Sequence, residues 1–307
     1  MDAQERSHIF KPRSYAACIR NGFKLIANHP VTILRATWPY IVLMAIFAWF
    51  YYHSVFSTII SLFSQQASSS NVVAIVLSLI LFVAVELVLL ARVMMLLKHF
   101  RDNGTLPHIN AFARMPETFI TALRQLPFIV IVLIVSAIIS FAYVKLIPLA
   151  IAQPTTTMFI TIILGVTVAN VLFLVFVMPL LQTFYSYVMD GGDFVKTLRE
   201  TYPKGLRHIG KIFAVNLLTW ALLAVAVSVL SLPLIVLMFA SGMSVMGTLV
   251  LGDASGMPGY MPWLMGITAI VCISLSVFAC LAIYTTNFYV YGSIEAIESE
   301  RKQFKNL

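Results

Sequence analysis

Glu86 is the one acid lying well inside an apolar run. It comes 12 residues before Lys98, about 18 Å along a helix, which places it near the middle of a bilayer. A carboxyl at that depth is costly unless it is neutralised, paired or turned toward a polar crevice. The functional reading is a proton- or substrate-coupling acid, with Asn170 and Thr167, at similar depth on a later helix, as its partners. The other reading is a neutral carboxyl bonded to a neighbouring hydroxyl or amide as packing glue. Arg92 lies six residues further along the same helix, points about 120° away and is expected to snorkel to the polar boundary. Asn216 and Asn287, also inside apolar runs, read as interhelical hydrogen bonders.

Other chemistries fit poorly. Ser241 to Pro262 holds Met243, Met246, Met257 and Met261 among glycines, and thioethers suit Cu(I), but no His or Cys accompanies them. His99, Asp102 and His108 match no compact metal template. No phosphate loop, nucleophile elbow or zinc-binding His-Glu-x-x-His pattern occurs. The expectation is therefore no catalytic residue, no metal and no cofactor.

The elements that must hold Glu86 are set by composition. Sixty per cent of residues are apolar and only 10% charged, far from a soluble domain. Charge-free apolar runs of this length read as membrane helices, since every backbone amide in lipid must be bonded internally. Six follow: Trp38 to Phe63, Val72 to Leu97, Leu126 to Leu149, Met158 to Leu181, Ile212 to Ala240 and Leu264 to Tyr291. Pro179 and Pro233 are expected to kink the fourth and fifth. Residues 1–307 form one integral membrane domain, an all-α polytopic helical bundle.

The net charge of +8 does not point to nucleic acid. Of 20 Lys and Arg residues, all but Lys145 fall on or near one face of a six-span bundle. By the positive-inside bias that face, with both termini, is cytoplasmic. Three short basic segments there read as helices lying in the membrane interface. Their apolar stripes are Tyr15, Cys18, Ile19, Phe23 and Ile26, then Phe112, Met115, Phe119 and Leu123, then Phe194, Leu198, Tyr202 and Leu206. The opposing basic residues, Arg13, Arg20, Lys24, Arg114, Arg124, Lys196, Arg199, Lys204 and Arg207, are expected to meet lipid headgroups. Asn28-His29-Pro30 and Gln125-Leu126-Pro127 should end the first two helices.

Each segment precedes a hairpin of two spans, and an aromatic end, Phe184-Tyr185-Ser186-Tyr187, returns as Phe288-Tyr289-Val290-Tyr291. The chain thus reads as three repeats of interfacial amphipathic helix plus transmembrane hairpin, roughly 12–101, 108–190 and 193–292. With Gly22-Phe23-Lys24-Leu25-Ile26 and Asn28-His29-Pro30 before the first span, and Phe184-Tyr185-Ser186-Tyr187 closing the fourth, it resembles bacterial multi-pass families of largely unassigned function. Among these are YciC-like inner-membrane proteins and the membrane domain appended to some glycerophosphodiester phosphodiesterases. The resemblance implies a bacterial inner (cytoplasmic) membrane bundle. No phosphodiesterase domain is present, so that activity is not implied.

These features point to a non-enzymatic membrane protein that handles or organises lipid or a small amphipathic solute. The first alternative is a structural subunit or assembly factor with a membrane-protein partner. The second is an intramembrane lipid-modifying enzyme, disfavoured because no His and acid cluster shares one depth. Oligomeric state is left open.

Overall fold

The structure, a computed structural model, describes residues 9–63, 69–152, 156–247 and 258–305, with the backbone alone at 59–63, 69–71, 142–152, 156–163, 245–246 and 305. The regular elements among the described residues are all helices. In chain order they are α1 (Tyr15–Asn28), α2 (Pro30–Phe63), α3 (Ser69–Asn103), α4 (Met115–Ala152), α5 (Thr156–Val177), α6 (Leu180–Asp190), α7 (Phe194–Arg207), α8 (Ile209–Met246) and α9 (Met261–Lys305). Six candidate spans are long and apolar enough to cross a membrane: five are single helices, and the fourth joins α5 to α6 across Pro179. The chain is a multi-pass, all-α membrane bundle.

Local chemistry sets the short helices. Ser14 caps α1 by accepting from the Ala17 amide at 3.3 Å. His29 ends α1, and Pro30 opens α2 at the position where a missing N–H is harmless. Gly191 and Gly192 turn the chain with φ of 74° and 102°, and Asp193 then caps α7 through the Val195 amide.

Of the prolines expected to interrupt a helix, Pro127 does not and Pro179 does. Pro127 lies inside an unbroken α4, so the second interfacial segment is continuous with its span. Phe128 explains this: it packs edge-on against Phe184 and Phe194, with ring centroids 5.3 and 5.2 Å away, and so holds the next turn helical. Pro233 sits inside α8. Pro179 is the true break, and α7 packs into it. A Cβ on Gly205 would lie 2.6 Å from the Pro179 carbonyl oxygen. Beside the break the Tyr202 hydroxyl donates to the Phe176 carbonyl at 3.3 Å. Met243 and Met246 belong to α8, whereas Gly252, Gly256 and Met257 lie outside the described residues.

α9 is the axis of the bundle, packing against α1, α2, α3, α6, α7 and α8. At 45 residues it is about 67 Å long, well beyond a bilayer's apolar core. α1 turns its apolar side onto α9: Cys18, Ile19, Gly22 and Leu25 are buried, while Arg20 and Lys24 are exposed. Gly22 allows the approach, and its carbonyl accepts from Thr285 at 3.0 Å. The two aromatic ends meet on this axis, with Tyr185 stacked on Tyr291 at 5.9 Å. α5 lies at the edge, resting on α4 and α6.

Candidate functional site

A cavity of about 400 Å³ opens between α3, α4, α6 and α9 in the half of the bundle that carries the basic loops. Its walls are mainly apolar, including Leu87, Ile129 and Leu133, with the rings of Phe128, Phe184, Tyr185 and Tyr284. Glu86, Gln125 and Asn287 also line it.

Each polar group is placed by a different element. Glu86 is carried by the long, straight α3 and is half-buried; among the described residues it forms no ion pair with Lys or Arg. Asn287 is satisfied elsewhere: its amide and that of Asn216 exchange hydrogen bonds at 2.9 Å, as expected of interhelical glue. The Tyr185 hydroxyl donates to the Tyr284 carbonyl at 2.7 Å and fixes α6 on α9. Gln125 is different. It is only 1% exposed, and among the described residues neither its Oε1 nor its Nε2 has a hydrogen-bond partner; both atoms are closed off from the cavity. An amide buried and unbonded costs about 1–3 kcal/mol.

The partners expected for Glu86 lie elsewhere. Thr167 and Asn170 occupy exposed positions on the peripheral α5 and do not line the cavity; the Asn170 amide donates to the Val166 carbonyl of its own helix at 2.8 Å. Gln125 is masked in the sequence by its place in an expected helix end, and the tyrosines by their place in aromatic termini. A buried Gln at the start of a span is the one signal that could have been weighed.

Arg92 does not snorkel. It is 2% exposed, and its guanidinium donates to the Asn110 and Ala111 carbonyls and, at 2.9 Å, to Thr118. It therefore ties down the loop after α3. The other basic residues divide into two groups. Arg20, Lys24, Arg114, Lys196 and Arg199 are exposed at the basic end, Arg114 with Glu117 3.8 Å away on the next turn. Lys204 and Arg207 instead pair with Glu295 and Glu298 of α9, each at 2.9 Å. Arg13 is half-buried, its guanidinium over the Tyr289 ring at 5.2 Å from the centroid, and Arg124 lies against Gly191. No cluster of His, Cys, Asp and Glu able to hold a metal occurs among the described residues.

A second cavity, about 480 Å³, lies in the other half of the bundle, lined by Trp49, Tyr52, Leu79, Phe82 and Val277. Leu79 and Phe82 are on the same face of α3 as Val83 and Glu86, one to two turns further out.

Fold and cavity together define a polytopic helical membrane protein with a mainly apolar cavity between four of its helices, into which Glu86 opens. Comparison with protein-family models, with curated proteins and with solved structures finds nothing that matches the chain.

Proposed function

We propose that this is a non-enzymatic protein of the bacterial inner membrane, with both termini cytoplasmic, that binds lipid or a small amphipathic solute in the Glu86–Gln125 cavity. Kinship with the YciC-like group is part of the same proposal. The observation that carries the reading is the cavity itself: aromatic and aliphatic walls from four helices around the Glu86 carboxyl, which forms no ion pair with Lys or Arg among the described residues. Sites for small amphiphiles have this composition, with apolar walls for bulk and a few polar groups for orientation.

The test is native mass spectrometry of the protein released from mild detergent, comparing wild type with Leu133→Trp, which fills the chamber. The expected result is a bound amphiphile that the variant lacks. Identical adducts on both proteins would contradict the reading.

A structural subunit is the second reading. It is favoured by α5, whose Leu164, Val171 and Phe176 are 63%, 53% and 57% exposed on a helix held at one edge. Capture of a stoichiometric membrane partner through α5, with the chamber empty, would support it instead.

A further inference from the structure

The charge and shape of the chamber narrow what it can take. Glu86 is its one charged lining residue among those described, and no Lys or Arg lines it. The nearest basic side chain on α3, Arg92, is turned away and bonded to carbonyls and Thr118 on the far side. Four aromatic rings share the walls: Phe128, Phe184, Tyr185 and Tyr284.

An anionic amphiphile would bring a second negative charge into a site with no cation to receive it, which low-dielectric surroundings punish. A neutral one would leave Glu86 uncompensated. A cation meets both features: the carboxyl as counter-charge and the aromatic rings as cation–π partners. Resting on the proposed function above, we infer that the chamber takes an amphipathic organic cation. Its apolar body lies against Leu87, Ile129 and Leu133, and its charged centre lies beside Glu86 and the rings.

The experiment uses the full-length protein in mild detergent and three fluorescent aromatic probes of comparable bulk: ethidium as cation, N-phenylnaphthylamine as neutral probe and anilinonaphthalene sulfonate as anion. Leu133→Trp supplies the background from micelle partitioning. Ethidium is expected to bind wild type about tenfold more tightly than either other probe, the effect of one desolvated charge contact. Glu86→Gln should erase that preference while leaving the neutral probe's affinity unchanged, and Glu86→Asp should retain part of it. Should a variant fail to fold, the wild-type ranking of the three probes still decides. Equal binding of all three, above the Leu133→Trp background, would overturn the cation inference and leave an amphipathic chamber standing. Binding of no probe above that background would overturn the chamber reading as well.

Discussion

The Arg92 guanidinium is a buried clamp on two backbone carbonyls, so its loss leaves them without donors. Arg92→Leu should cost about 1–3 kcal/mol, read as a drop of several degrees in the detergent unfolding temperature. An unchanged temperature would mean that water replaces the clamp. Glycine contacts give a sharper comparison. A Cβ at Gly22 would lie 2.6 Å from the Thr286 Cα, whereas nothing lies within 4 Å of one at Gly210. Gly22→Ala should therefore destabilise by about 1–3 kcal/mol, and Gly210→Ala should be neutral or slightly stabilising. Cys18 makes a pH prediction. Burial pushes its thiol above the ordinary 9.0, so the folded protein keeps it protonated where the unfolded chain ionises it. Its contribution to stability is full below about pH 8.5 and declines above, through the folded value. Cys18→Ala should remove that alkaline slope in unfolding scans. Glu86 is legible in the sequence because a charge interrupts an apolar run. Gln125 is not, because its meaning depends on walls supplied by Val83, Phe184 and Tyr284, remote along the chain.

Helices were legible where period and punctuation agree. Asn28-His29-Pro30 separates α1 from α2, and Asp193 starts α7, as their residue types dictate. The prolines were harder to read, because packing around each one decides whether the helix continues. Phe128 sustains α4 beyond Pro127, while the close approach of Gly205 requires the gap at Pro179. The face of each short helix is also a tertiary matter. α7 buries Thr201 and Gly205, with Thr201 donating to Thr183 at 3.0 Å, and leaves Leu206 46% exposed. Its docking on α9 runs through Lys204 and Glu295. Lys204→Glu should raise amide exchange across α7, losing about 1 kcal/mol of local protection, and adding Glu295→Lys should restore most of it. If the swap restores nothing, the pair is incidental to docking. Arg20, Lys24, Arg114, Lys196 and Arg199 should each contribute about 1 kcal/mol to association with anionic lipid, measured as loss of lipid-dependent stabilisation in Gln variants.

The six-span bundle follows from composition and charge clustering alone, because lipid leaves the backbone no other solution. What the pattern of apolar runs cannot convey is the centrality of α9. Its role arises from contacts with the chain's beginning, more than 200 residues earlier, made through Gly22 and Cys18 of α1 and through Ile9 before it. With an even number of spans and the basic residues at one end, a cysteine placed at Ser70 should label from outside the cell, and one at Arg301 should not. Labelling of both from one side would contradict the proposed topology. The account rests most heavily on the chamber between α3, α4, α6 and α9 being occupied by an amphiphile in the membrane. Photo-crosslinking in native membranes addresses it directly, with a benzophenone amino acid at Ile129, a partly buried residue of the chamber wall, and at Leu164, on the exposed face of α5. The account predicts one dominant small amphiphile attached at position 129, lost in Leu133→Trp, and only bulk lipid at position 164. The same mixture of bulk lipid at both positions, unaffected by Leu133→Trp, would contradict it.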